Sequence, residues 1–386
     1  MSEDPSATSN ARRQRAVDAP PRLAWDRALA WRLARHHLLA RAAPDDLVEV
    51  VGESAGVHAQ VKSSAELSLW ARIDGLDSTA VERALWTDRS LVKLWAMRGT
   101  LHLLPAAELD LWLAALGSYT NYGNGGDPEI AALTEAVAEA LDGRTLTREE
   151  LAQDVERLTG SPALAEYVRF SWGSYLKAAS FRGLLCFAPG DGAKIKFTSP
   201  ASWTGRDIAR LDPDEALRAV TRRFLARYAP ATPDSLTRWW RGESMPRRGA
   251  QMLAALGDEA VEIDVDGQRA WALARDVPAM QTAAPLETAH LLPAFDSWVI
   301  AGSRCAPPLA PHHLPRIWRN QGWISPVLLV NGRIAGVWRH ERKGRRLVVA
   351  LEPFDGLPSW AEDQLAAEAA RLATFFDCRL DLGRST

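Results

Sequence analysis

Short helices followed by a β-hairpin recur three times along this chain, and that rhythm limits its fold more than any single motif does. In the first unit the apolar spacing predicts helices over Ala24–Ala42, Ser63–Ile73 and Thr79–Trp86, with Asp45–Val51 a further helix or a strand. Leu91–Ala96 and Thr100–Leu104 then alternate as strands around Met97, Arg98 and Gly99. The second unit opens on a capping pair, Thr147 with Glu150, which starts a helix over Arg148–Leu158. A helix over Tyr167–Phe181 follows, then a hairpin of Gly183–Phe187 with Lys194–Thr198. The third unit sets Pro213–Tyr228, Thr232–Trp240 and Pro246–Leu256 before a hairpin of Ala260–Val265 with Arg269–Leu273, turned at Asp266 and Gly267. Helix, turn, helix and a two-stranded wing is the winged-helix plan of DNA-reading modules.

Beyond about residue 285 the pattern changes to strands: His290–Ala294, Trp298–Ala301, Ser325–Val330, Arg333–His340 and Leu347–Leu351, with Asn331-Gly332 as a hairpin turn. A helix over Trp360–Thr374 and a last strand near Cys378–Leu382 complete a small β-rich, barrel-like domain. The expected class is therefore α+β: three tandem winged-helix domains, 22–130, 131–205 and 206–284, then a β-rich domain, 285–386. Residues 1–21, rich in Ser, Ala, Asp, Pro and Arg, read as a disordered tail rather than a signal peptide.

With 386 residues and 47% hydrophobic content the chain can bury several cores without disulfide staples. Its three cysteines, Cys186, Cys305 and Cys378, are too few and too far apart for a disulfide framework or a zinc site, which points to the cytosol. No stretch approaches the roughly 18 apolar residues that a membrane span needs. A net charge of −2 gives no global pull towards nucleic acid, so any such binding must come from local patches. Only six of the 46 basic residues are Lys, a bias that base composition explains as well as function does. The Gly123, Gly125, Gly126 cluster follows no strand, and His36-His37 and His312-His313 lack ligands at metal spacing. Trp239 and Trp240 read as packing rather than base-stacking residues.

Residues 52–60 spell two incompatible sites. Gly52-Glu53-Ser54-Ala55-Gly56 matches the nucleophile elbow of serine esterases, with Val48–Val51 as the strand before it. Too little chain precedes it for a parallel sheet, and no upstream oxyanion loop is present. Gly56-Val57-His58-Ala59-Gln60 instead presents an imidazole and a carboxamide two residues apart, a pair that can position water. Such residues share a face only in extended chain, so the alternative of a helix-capping turn with His58 exposed and Gln60 merely solvated stays open.

That segment, followed by Leu67-Ser-Leu-Trp-Ala-Arg72 and Met97-Arg-Gly-Thr-Leu-His-Leu-Leu-Pro105, resembles the winged-helix DNA-binding-domain family of AlkZ-like, azinomycin-resistance type DNA glycosylases. Leu291-Leu-Pro-Ala-Phe-Asp296 and Val330-Asn-Gly-Arg-Ile-Ala-Gly-Val-Trp338 are similar to that family's C-terminal signatures, so the likeness spans nearly everything after the tail. The resemblance implies excision of bulky N7-alkylated purines, including interstrand crosslinks, by a monomer acting on double-stranded DNA without cofactor or metal. The family's loop usually carries Gln-x-Gln or Gln-x-Asp; here His58 stands at the first position and Gln60 at the second.

The residue chemistry suits that reaction. Alkylation at N7 makes the purine cationic, so its N-glycosidic bond breaks without a general acid, and the protein need only hold water against C1′ of an oxocarbenium-like transition state. Gln60 offers both an acceptor and a donor. An ordinary imidazole at His58 would titrate near pH 6.5, so excision is expected to depend on pH there and His58→Gln to flatten the profile. DNA contacts are expected from Arg98 and His102 at the first hairpin, from Arg339, Arg342, Lys343 and Arg345 at a second, and from Lys62, Arg304, Arg316 and Arg319. Two competing readings are a winged-helix DNA-binding regulator without catalysis and the serine esterase.

Overall fold

The computed structural model describes residues 19–120, 122, 126–170, 173–190, 194–302 and 309–384. Most of the expected tail lies outside these residues, as do Arg304 and Cys305. At the amino-terminal end of the described residues the Pro21 carbonyl accepts from Asp264 N, and Arg22–Leu23 pairs in parallel with Asp264 and Val265.

Three small sheets follow one another along the chain. Each joins a hairpin to a short segment that precedes a helix. Val57–His58 pairs with Leu101–Pro105, which pairs with Leu91–Trp95. Leu146–Thr147 does the same for Lys196–Thr198 and Cys186–Ala188. In the third, Ala231 bridges Trp271 of the hairpin Ala260–Val265 and Gln268–Leu273. A five-stranded sheet then runs Ala289–Leu292, Val327–Val330, Arg333–Lys343, Arg346–Pro353 and Arg379–Arg384, antiparallel except for its last pair. The helix Ser359–Phe375 makes the parallel return and packs against the first and last strands.

Local chemistry accounts for the element ends. Thr147 and Glu150 form the expected reciprocal cap, and Gly160 closes that helix in the left-handed conformation (φ 67°). Asn331 (φ 49°) and Gly332 (φ 75°) make the expected tight turn between strands. Other segments differ from expectation. The first helix is Trp25–Arg35 rather than Ala24–Ala42, because His37 turns left-handed (φ 54°) while His36 drops into the core. Asp45–Val51 resolves as a 3-10 turn and the helix Leu47–Glu53. The single helix expected over Tyr167–Phe181 is divided into Pro162–Arg169 and Lys177–Phe181. Between them Gly173 (φ 64°) lies so close to Trp95 that a Cβ would sit 2.3 Å from its ring. Trp298–Ala301 is not a strand but part of a π-helical turn, Trp298–Gly302.

The first and third units and the C-terminal segment meet at a buried polar junction. Arg32 on the first helix donates to Tyr228 O (2.9 Å), Ala229 O (3.3 Å) and Pro230 O (3.1 Å), completing the end of the helix Pro213–Tyr228. His36 Nε2 donates to Arg227 O at 3.1 Å. Arg72 grips Asp296 with two bonds of 2.8 Å, and both side chains are sealed, 1% and 0% exposed. Asp296 also accepts from Ser68 Oγ (2.5 Å) and Trp298 N (2.8 Å), so its lone pairs are matched. Trp239 and Trp240 are buried at 3% and 2%, which agrees with a packing role.

Candidate active site

The helix Leu47–Glu53 runs into Ser54, after which Ala55 (φ 56°) and Gly56 (φ 87°) reverse the chain. A Cβ on Gly56 would meet Leu104 Cδ2 at 2.8 Å and Met97 Cε at 3.1 Å, so glycine alone fits both the conformation and the space. The Gly-x-Ser-x-Gly string therefore lies on a helix-to-strand turn, the reverse of a nucleophile elbow. Ser54 is 1% exposed and its Oγ accepts from Arg227 Nη2 at 3.2 Å, so no substrate carbonyl can reach it. The geometry rules out the esterase reading.

Once turned, the chain is extended, and Val57 and His58 pair with Leu103 and His102. His58 is not an exposed capping residue. It is 7% exposed, stacked on Phe295 (ring centroids 5.1 Å, interplanar angle 20°) and edge-on to His102 at 5.5 Å. Burial, assisted by the nearby Arg98 charge, pushes its pKa down to about 3, so the imidazole is neutral throughout the physiological range. The expected titration near pH 6.5 is thus corrected. His58 Nδ1 is sealed with no hydrogen-bond partner among the described residues, which leaves Nε2 as the ring nitrogen for an incoming water. His58 lines a cavity of about 10 Å³, one water in capacity, together with Gly56, Arg98, His102, Tyr228 and Ser297.

Arg98 and His102, expected at a DNA surface, serve this cavity instead. His102 is 1% exposed; its Nε2 accepts from Arg98 Nη2 at 3.0 Å, which fixes the proton on Nδ1, bonded to Thr100 O at 3.0 Å. Burial, then Arg98, holds its pKa well below the usual imidazole range. Arg98 adopts φ 60°, with its backbone N–H on the Tyr119 hydroxyl (3.3 Å) and its guanidinium donating to Trp239 O of the third unit. Gln60 is exposed two residues beyond the strand; its Oε1 accepts from Leu101 N at 3.3 Å, and its NH₂ has no protein partner among the described residues.

The remaining expected cations lie elsewhere. Lys62 is bonded to Glu82 at 2.7 Å. Arg316 and Arg339 both reach Glu352, at 3.2 and 2.8 Å. Lys343 meets Glu341 (3.0 Å) and Arg345 meets Asp377 (3.1 Å) at the tip of the long hairpin, while Arg342 donates to Gly344 O (3.2 Å). Arg319 is exposed, and its backbone N–H donates to Trp323 O. A separate cavity of about 900 Å³, between the first helix and the C-terminal sheet, shares no lining residue with the His58 cavity.

Comparison with known proteins decides the family. The model of DNA glycosylase AlkZ-like proteins matches residues 51–375. The chain belongs to this family. It is 37% identical over 359 residues to an interstrand DNA cross-link repair glycosylase of Streptomyces sahachiroi, covering 90% of this chain and 96% of that protein. The solved structure of the Streptomyces sahachiroi DNA glycosylase AlkZ superposes with a TM-score of 0.82 at 36% identity, covering 94% of this chain and all of that one. Residues 51–375 include the Gly56–Gln60 turn and the Asp296 loop, so the His58 cavity lies inside the matched region.

Reasoning from residue types overlooks Phe295 as a site residue, although it covers one face of His58. In the sequence it is visible only as part of a C-terminal signature. The signal that exposes it is structural: an aromatic residue at φ 58°, a conformation that bulky side chains rarely adopt.

Proposed function

We propose that this chain is a monofunctional DNA glycosylase that hydrolyses the N-glycosidic bond of bulky N7-alkylated purines, including crosslinked ones, in double-stranded DNA. The carrying observation is His58: neutral, partly caged by Phe295 and His102, with one ring nitrogen open to a water-sized space in a glycosylase-family chain. A neutral imidazole and the uncommitted NH₂ of Gln60 orient a water towards C1′. The C1′–N9 electron pair leaves with the cationic base, neutralising it, so no general acid is needed. The attacking water becomes strongly acidic as it bonds C1′ and gives its proton to solvent, which spares His58 any need for high basicity.

The three helix-plus-hairpin units read as tandem winged-helix domains, 22–130, 131–205 and 206–284, followed by a β-rich domain, 285–386. In each the segment before a helix, Val57–His58, Leu146–Thr147 or Ala231, occupies the first-strand position of a wing. His58 stands at that position in the first unit, and Gln60 lies two residues beyond it. Incubation with duplex carrying a single 7-methylguanine, followed by alkali, is expected to break the strand at the adduct. Borohydride should trap no covalent complex, and chelator should not inhibit. An intact strand would instead favour a DNA-binding regulator.

DNA engagement is assigned to the long hairpin Arg333–Lys343 and Arg346–Pro353. Its exposed ion pairs are individually weak and exchange readily for phosphate. Removing Arg342, Lys343 and Arg345 together is expected to reduce the slope of log affinity against log salt by about 0.9 for each phosphate that is no longer neutralised. A titration of binding against salt that gives the same slope in the triple variant would remove the hairpin from the interface.

A further inference from the structure

The loop that carries Asp296 holds Phe295 in a strained left-handed conformation, φ 58°. The strain persists because the next residue is pinned: Arg72, Ser68 and the Trp298 N–H all bond the Asp296 carboxylate. The result is a ring laid on the His58 imidazole and extended outward. Trp323 meets Phe295 at 4.9 Å and 77°, and it is 43% exposed. Trp323 sits after Gln321 (φ 60°) and Gly322 (φ 74°), its carbonyl bonded by Arg319 N at 2.8 Å. Exposure alone distinguishes nothing, since other large apolar side chains are also exposed. What singles out Trp323 is its place at the outer end of an aromatic row whose inner end is the water-positioning imidazole.

We infer that Trp323, held by Phe295, is the face on which the alkylated purine stacks, and that it selects for the positive charge of that base. The inference rests on the assignment of His58 to the reacting sugar. With C1′ beside His58, the attached base lies about one ring further out, where Phe295 and then Trp323 stand. An indole face attracts a cation more strongly than any other side-chain ring, whereas a neutral base gains stacking only. A preference for the charged adduct then arises without any hydrogen bond to the base edge, which leaves the N7 substituent free to be bulky.

The test uses the full chain and duplexes carrying one 2′-fluoro nucleotide, which resists cleavage, with either 7-methylguanine or its neutral isostere 7-methyl-7-deazaguanine. Wild type is expected to bind the cationic base about 10-fold more tightly than the neutral one. Trp323→Leu should bring the two affinities within about 2-fold, and Trp323→Phe should keep most of the preference. No preference in wild type, or the same preference in Trp323→Leu, overturns the inference. Neither readout requires turnover, so a wild type that fails to excise 7-methylguanine from an ordinary sugar would count against the proposed reaction alone.

Discussion

Replacing His58 and Gln60 together by alanine is expected to lower single-turnover excision of 7-methylguanine by about 10²- to 10⁴-fold, the range associated with loss of groups that orient or accept the reacting proton. Binding of damaged duplex should change little, because neither side chain carries charge. Gln60→Ala alone should account for much of the loss at little structural cost, since it removes only an exposed bond to Leu101 N. His58→Gln should retain activity by restoring a carboxamide. The pH profile is the sharper discriminator. With the His58 pKa at about 3, the imidazole has no proton to lose or gain between pH 5 and 8, so wild type and His58→Gln should both give flat profiles. A wild-type rate that rises through pH 6.5 and flattens in His58→Gln would show that DNA binding reverses the effect of burial. Full activity in both single alanine variants would remove the loop from the mechanism.

The second large effect is on stability in acid. His36, His58, His102 and His290 are all buried, and burial is the leading cause that lowers each pKa, to about 3 for His58 and about 4 for His290. The sign follows from proton uptake. Below pH 6.5 the unfolded chain takes protons on these rings and the folded chain does not, so stability is full above that pH and is lost as pH falls towards 4. Each ring contributes up to about 1.4 kcal/mol per pH unit, so together they approach roughly 5 kcal/mol per unit. Urea midpoints taken between pH 7.5 and 5 should therefore fall steeply below 6.5. His290→Gln should shallow the slope by about one histidine's share, because both His290 nitrogens lack partners among the described residues and the ring takes no part in the candidate site. A midpoint that stays level from pH 6.5 to 5 would show that water or local opening solvates these rings.

Features set by neighbouring residues were legible in the sequence. The Thr147–Glu150 cap, the Asn331-Gly332 turn and the order of helices and hairpins depend on residues a few positions apart, and the structure has them. What failed depended on distant chain. Arg98 and His102 have the composition of a wing tip, but Trp239 O of the third unit holds the Arg98 guanidinium, and that guanidinium in turn bonds the buried His102. Trp298–Ala301 has the apolar run of a strand, yet the Asp296 carboxylate caps its first amide and starts a π-helical turn. The ionisation of His58 was hidden for the same reason: the ring stacked on it comes from Phe295, in a part of the sequence with no local relation to the Gly56 turn.

The bonds between Arg32 and the carbonyls of Tyr228, Ala229 and Pro230 have a temporal side. Arg32 and Tyr228 are 196 residues apart. At about 5–20 residues per second of translation, roughly 10–40 s separate the emergence of the guanidinium from that of its acceptors. Throughout that interval the nascent first helix carries an apolar face and a guanidinium without these three acceptors, and Leu23 waits longer still for Val265. The amino-terminal unit therefore cannot complete its packing as it leaves the ribosome. Its final docking belongs to the moment when the third unit emerges, which makes the two ends of this span one cooperative block even though a whole helix-and-hairpin unit is synthesised between them.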